Sequence, residues 1–460
     1  MTRPTSRRAF LSGLAGGGVA AISADAARAA DELLRAAATR STSGPAATAA
    51  TAATAATTAT SEALPPIRQI TRGPGFHWFG YYDKLQFDPE GRRVLGMRVE
   101  FEHRSPKPDD EIRLGYVDLH DGDRWIEIGA TKAWNWQQGC MLQWLPDSQS
   151  EVIWNAREDG QHGGRFVSRV LDIKSGAARA LPGPIYAVSP DASWAIYPDF
   201  RRLNDTRPGY GYAGVTDPNA DKLAPDDGGI WRMDLRRGDT KLIIRLADIV
   251  NIPQPPGARG AWDATSKHWF NHLLISPDGK RFIFLHRWRG QKEDRNFSTR
   301  MFTAAADGSD LYVLDPSGKT SHFIWRHPQH VAMWTWHASR GERFYLFADK
   351  TDQVEPIRPD VMRVNGHNTY LPVKGEPGRW ILNDTYPDAN RFQHPYLFDT
   401  RTGKRHPLGH FHSPREYTGE WRCDTHPRSS ADGTKVCIDS PHEGGRQMYL
   451  IDVSEIVREA

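Results

Sequence analysis

The sequence predicts an all-β fold: a single seven-bladed β-propeller behind an export signal and a disordered tether. Three features predict it. An arginine pair precedes a Gly/Ala-rich apolar stretch, an Ala/Thr tract follows, and short apolar runs between turn signals then recur about seven times. No long amphipathic helical pattern interrupts those runs.

In chain order, Ser6-Arg7-Arg8-Ala9-Phe10-Leu11 leads into a weakly apolar stretch ending at Ile22, with Ala-x-Ala sites at Ala24–Ala26 and Ala27–Ala29. This is the pattern of a twin-arginine signal peptide over residues 1–30, so the expected location is periplasmic or secreted. Residues 31–64 contain "STSGPAATAATAATAATTATSEAL" and read as a low-complexity Ala/Thr linker with too little apolar surface to fold. The propeller is expected over 65–460. No later stretch approaches the ~20 apolar residues of a membrane span, so no membrane partner is expected.

The propeller units announce themselves by their first turns: "FDPEGRRVLGM", "WLPDSQSEVIW", "VSPDASWAIYP", "ISPDGKRFIFL", "HASRGERFYLF", "PVKGEPGRWIL" and "SSADGTKVCID". Second turns such as "VDLHDGDRW", "MDLRRGDTK" and "FDTRTGKRH" follow a strand or two later. About four strands in ~40–60 residues is the size of a propeller blade. The third unit is longer, with a Pro/Gly-rich loop, "DFRRLNDTRPGYGYAGVTDPNADKLAPDDGG", of the length that usually carries function.

Composition narrows the function. The net charge of +3 arises from mixed acids and bases without a Lys/Arg block, so no nucleic-acid partner is expected. Sixteen Trp in a polar chain suit a protein that handles sugars, although Trp also fills cores. Cys140, Cys423 and Cys437 are too few for a disulfide framework. Nucleophile-elbow, P-loop and dinucleotide motifs are missing, which argues against esterase, kinase and dehydrogenase chemistry. The expected assembly is a monomer or small homo-oligomer.

Aligning the units on their first turns places His272, His322, His367 and His426 in one repeat slot, about four residues before the turn. That slot begins the innermost strand, and innermost strands converge on one end of the central channel. Four imidazoles, with Cys423 three residues before His426, therefore form a candidate site for a divalent metal ion, zinc or manganese. The remaining units fill the slot with Tyr82-Asp83, Gln138-Gly139-Cys140 and Tyr186. Arg201, Arg202, Arg287, Arg289 and Arg300 follow neighbouring strands, and arginines beside a metal point to an anionic, carboxylate-bearing substrate.

These residues resemble the propeller-fold polysaccharide lyases, both the oligogalacturonate and the ulvan lyases. "NHLLISP", "FLHRW", "STRMF", "TSHFIW" and "CDTHPR" are similar to successive oligogalacturonate lyase motifs. The likeness implies that His286 is the catalytic histidine and His322 the first metal ligand. It also puts Cys423 where the family has a ligating glutamine, and Arg428 where it has a second histidine. "FRRLNDTRPGYGY" resembles a loop of the ulvan lyases, and Tyr186 and Arg202 have the spacing of that family's proton-transfer tyrosine and charge-neutralising arginine. The resemblance implies cleavage of uronate-containing glycans by β-elimination, with His286, Tyr186 and Arg202 catalytic. Arg201, Tyr210, Arg300 and Gln138 would contact the acidic oligo- or polysaccharide. Metal ligands are expected among His272, His322, His367, Cys423 and His426. Two other classes remain open: a non-catalytic periplasmic propeller that scaffolds other proteins, and a glycoside hydrolase using paired carboxylates such as Asp83 and Asp199.

Overall fold

A Ser-Pro-Asp-Gly turn shows how the repeat is built. Ser276 Oγ donates to Asp278 Oδ1 at 2.7 Å, while the Lys280 and Arg281 amides donate to Asp278 Oδ1 and Ser276 Oγ. Gly279 takes φ 68°, the left-handed position that a tight hairpin needs. The same device recurs at Ser430, Asp432 and Gly433, and at Ser189 and Asp191, where Ala192 bears the left-handed φ of 51°.

In the computed structural model, which describes residues 63–160, 163–255, 260–290 and 296–458, these hairpins assemble seven four-stranded antiparallel sheets in a ring. The first blade runs from Phe76–Trp78 to Arg124–Thr131, the second from Gln143–Trp144 to Ala178–Leu181, and the third from Ala187–Val188 to Thr240–Arg245. The fourth spans Lys267–Ile275 to Tyr312–Gly318, the fifth Phe323–His327 to Val354–Pro356, and the sixth Thr369–Tyr370 to Arg405–Pro407. The turn in "HASRGERFYLF" falls one hairpin later than the alignment placed it, between the second and third strands of blade five.

The seventh blade closes the ring. Its strands Arg428–Ser429, Lys435–Ser440 and Gln447–Asp452 come from the end of the chain, and the fourth is Ile67–Gln69 from the start, with Ile67 opposite Ile451. Closure of this kind removes two free sheet edges at once. Ala63–Ala460 is one compact unit. The expected signal peptide and nearly all of the linker lie outside the described residues. Among the described residues no helix is long and apolar enough to cross a membrane.

Between blades, side chains from facing sheets interdigitate as dry apolar layers, for example Ile283, Leu285, Met301, Val331 and Met333, all fully buried. Toward the channel the burial turns polar. Arg428 pairs with Asp439 at 2.9 Å, and Asp439 also accepts from the Phe79 and Gly80 amides. Blade seven is thus tied to its neighbour, blade one, at the closure of the ring.

Candidate active site at the channel mouth

Two histidines reach the mouth through strained backbone. Pairing of Lys267–Ile275 with Arg281–Arg289 slips between Asn271 and Leu274, and His272 sits in that bulge with φ 48°. His426 has φ 38°. Left-handed geometry at a non-glycine residue costs about 1–3 kcal/mol, and a bulge re-aims the side chain it carries. Neighbours hold His426 there: its amide donates to Asp384 Oδ2 at 3.1 Å, and Arg428 Nη1 donates to its carbonyl.

The four slot histidines come together. Ring centres of His322 and His367 are 4.1 Å apart, as are those of His367 and His426. His272 lies across from them, its ring stacked on Tyr81 at 5.2 Å, and Tyr81 is in turn 5.2 Å from His426. His272 Nδ1 lies 2.8 Å from the Tyr81 hydroxyl, 3.1 Å from the Tyr186 hydroxyl and 3.3 Å from Gln138 Nε2, and because that amide nitrogen is a donor the ring hydrogen belongs on Nε2. Burial holds the His272, His322 and His426 imidazoles well below the ordinary histidine pKa, so they are neutral.

His367, Asp424 and His426 are the one group of three such side chains among the described residues whose ligand atoms lie within 4.8 Å of one another. The fully buried Asp384 sets its tautomer. Asp384 Oδ1 lies 3.0 Å from His367 Nδ1, which leaves the Nε2 lone pair facing His426 Nε2 at 3.1 Å. One hydrogen or one cation fills that gap. A carboxylate behind an imidazole is the usual outer shell of a metal-bound histidine, so this donor set fits a divalent cation. His322, with Asn365 Oδ1 3.0 Å from its Nδ1, adjoins the group.

Cys423 does not join it. Its side chain is enclosed near Arg446, Asp439 and Glu102, and burial pushes the thiol pKa well up. Asp424 is the neighbouring donor that faces the histidines instead, and successive residues of an extended segment point opposite ways. His272, bonded to tyrosines, is also outside the group.

Beside the histidines opens a cavity of about 330 Å³ lined by Arg207, Tyr210, His272, Arg287, Thr299, His322 and Tyr386, among others. Arg287 is 5% exposed, and its Nε has no hydrogen-bond partner among the described residues; Arg207 Nε is likewise unpartnered. Both guanidiniums lie over the Phe297 ring, at 4.7 and 4.6 Å. Burial and the nearby Arg207 bring the Arg287 pKa down to about 10. An uncompensated buried cation is costly, and it is retained where an anion will meet it.

Tyr210 stands between these cations. Its hydroxyl accepts from Arg422 Nη2 at 2.9 Å, and Arg422 Nε donates to Asp424 Oδ2 at 2.7 Å. Burial raises the Tyr210 pKa, but Arg422 and Arg207 together outweigh it and the net shift is downward. Tyr186 and Tyr81, without such cations at their hydroxyls, are pushed well above the ordinary value by burial. The sequence singles out Arg287 only as one of several arginines near the mouth, and Arg207, Arg422, Asp424 and Asp384 not at all.

The structure does not bring His286, Arg300 or Arg202 to this mouth. His286 is paired across the ladder with Arg300, and Arg287 with Thr299. Adjacent residues of a strand face opposite sides, so Arg287 and Thr299 line the cavity while His286 and Arg300 point away. His286 Nε2 meets His268 Nδ1 at 3.0 Å, and Arg300 spends its donors on His286 Nδ1 and the carbonyls of Ile249, Ile252 and Pro253. Arg202 donates to the carbonyls of His268, Asn219, Lys222 and Leu223, and it pins the long third-blade loop rather than facing a substrate. Arg201 forks onto Asp199 and lines a separate pocket.

No protein-family model matches the chain, and no curated protein sequence matches it. Solved structures do. An oligogalacturonate lyase from Vibrio parahaemolyticus is similar over 86% of this chain and 97% of its own, with TM-score 0.57 and 14% identity. An oligogalacturonate lyase in complex with manganese gives the same coverage and identity, with TM-score 0.58. At that identity the likeness establishes a shared β-propeller fold.

Proposed function

We propose that the chain is a uronate lyase that cleaves acidic glycans by β-elimination at the channel mouth. The observation that carries this reading is the cavity itself, where two guanidiniums with no carboxylate partner among the described residues face the same space as a tyrosine of lowered pKa and neutral imidazoles. Manganese in one structural neighbour supports a divalent cation held by His367, His426 and Asp424, with His322 adjoining.

In this reading Arg287 and Arg207 bind the uronate carboxylate and stabilise the negative charge that develops on it. Tyr210, kept acidic by Arg422 and Arg207, takes the C5 proton as phenolate. The C5–H electron pair becomes the C4=C5 bond, and O4 departs with the electrons of the C4–O4 bond. A proton for O4 comes from His272 Nε2 as the Tyr81 or Tyr186 hydroxyl passes its own to Nδ1, so the imidazole stays neutral and the charge left by the departing oxygen ends on that tyrosine. A bound cation would supply Lewis-acid polarisation of the carboxylate. Tyr210 and Arg287 thus take the parts expected of His286 and Arg202, while Tyr186 keeps a supporting one.

The test is ultraviolet absorbance of the unsaturated product when purified protein meets uronate oligosaccharides. Wild-type protein should generate it, and Tyr210→Phe should lose about 10²–10⁴ in rate without unfolding. New reducing ends without that chromophore would mark a hydrolase, and neither signal would mark a scaffold.

A further inference from the structure

The pocket that Arg201 lines has no part in the proposed elimination. It holds about 260 Å³ beside the junction of blades two and three, and none of its lining residues borders the channel-mouth cavity. Its aromatic wall is Tyr197 and Trp231, with rings 10° from parallel and 5.8 Å apart, and Phe166 adjoins them. Pro182, Pro184 and Pro198 frame it, so its walls are preset rather than mobile.

Charge sits beside the aromatic wall. Arg201 uses Nε and Nη2 on Asp199, leaving Nη1 outside that fork, and its side chain is 33% exposed. Arg165 is 64% exposed and places Nε and Nη2 on Glu158, so it too keeps Nη1 outside a carboxylate fork. Stacked aromatic rings beside two guanidinium donors suit a sugar ring: a C–H face packs on an aromatic ring, and ring oxygens, a carboxylate included, accept from the two Nη1 groups. The volume is just below the ~300–1,000 Å³ of drug-sized sites and has room for one such ring.

We propose that this pocket is a second, non-catalytic binding site for a uronate residue of the glycan. It rests on the uronate-lyase reading only for the identity of the polymer. Phe200 links the two regions mechanically, since it borders the pocket and stacks on Tyr186 behind the mouth, with ring centres 6.2 Å apart. The pocket would keep the enzyme on a polymer without adding to the chemistry of each cut.

Affinity electrophoresis tests this in gels cast with polygalacturonate or alginate, using full-length protein. Wild-type protein should be retarded in at least one gel, and Trp231→Ala and Arg201→Gln should each weaken the apparent binding by about tenfold. Both variants should turn over short uronate oligosaccharides at the wild-type rate, which also shows that they are folded. Retardation unchanged in both variants but lost in Arg287→Gln would overturn the second site and leave the lyase reading standing. Retardation that depends on Trp231 in a protein without elimination activity would sustain the pocket and end the lyase reading. No retardation of wild-type protein in either gel would also overturn the proposal.

Discussion

Asp384→Asn removes the group on which the geometry of two mouth histidines depends. The carboxylate is wholly buried and accepts from the His367 amide at 2.7 Å, Thr425 Oγ1 at 2.7 Å and the His426 amide at 3.1 Å, besides the His367 ring. An asparagine keeps one oxygen and turns the other into a donor. The Thr425 hydroxyl can rotate to accept from it, but one backbone N–H is left facing an NH₂ group. An orphaned buried N–H costs about 1–3 kcal/mol, and loss of charge assistance adds roughly 1 more, so a destabilisation of about 2–4 kcal/mol is expected. At ~2.1 cal/mol/K per residue over about 400 residues, the unfolding entropy is ~0.8 kcal/mol/K and Tm should fall by about 3–5 °C. Freed from the carboxylate, His367 also loses its fixed tautomer, and affinity for zinc or manganese should drop about 10–100-fold. Differential scanning calorimetry and calorimetric metal titration measure the two effects. A variant with wild-type Tm and wild-type metal affinity would refute the role given to Asp384.

Three other outcomes follow from the same structure. The unfolded chain takes up protons on histidine near pH 6.5, whereas burial keeps His272, His286, His322 and His426 neutral to well below that, and His77 and His268 down to about 4. Stability should therefore be flat above pH 6.5 and fall as the pH drops below it, by up to ~1.4 kcal/mol per pH unit for each such histidine; denaturant midpoints that rise between pH 6.5 and 5 would contradict this. Arg287→Met replaces a buried cation that has no carboxylate partner among the described residues with an apolar chain, so Tm should hold or rise while KM for uronate oligosaccharide increases at least about tenfold; a folded variant with unchanged KM would remove Arg287 from the substrate site. His286→Gln breaks the bonds to His268 and Arg300 behind the sheet, and it should lower Tm while leaving kcat of the folded fraction within about twofold. A stable His286→Gln protein with no activity would restore the catalytic role that the family resemblance implied.

The turn chemistry made the architecture legible, because Ser-Pro-Asp-Gly hairpins use local hydrogen bonds that any reader of the sequence can place. The histidine slot was legible for the same reason, since repeat register converts sequence position into angular position around one axis. What escaped was of shorter period. Whether His286 or Arg287 faces the cavity turns on a single-residue parity within Arg281–Arg289, and a motif match is blind to it. Cys423 and Asp424 differ in the same way. Asp384 and Arg422 act through contacts with residues distant in the chain, and nothing in their local sequence marks them. The closing strand Ile67–Gln69 pairs across nearly the whole chain, so only the ring itself reveals its partner.

The most direct test of the central claim is elimination activity measured on metal-stripped protein, then after re-addition of manganese or zinc, with His426→Ala in parallel. The account predicts product chromophore from the wild-type protein that falls on stripping and returns with the ion, and none from His426→Ala at any metal concentration. Undiminished activity in His426→Ala, or no chromophore from any uronate substrate with metal present, would contradict it.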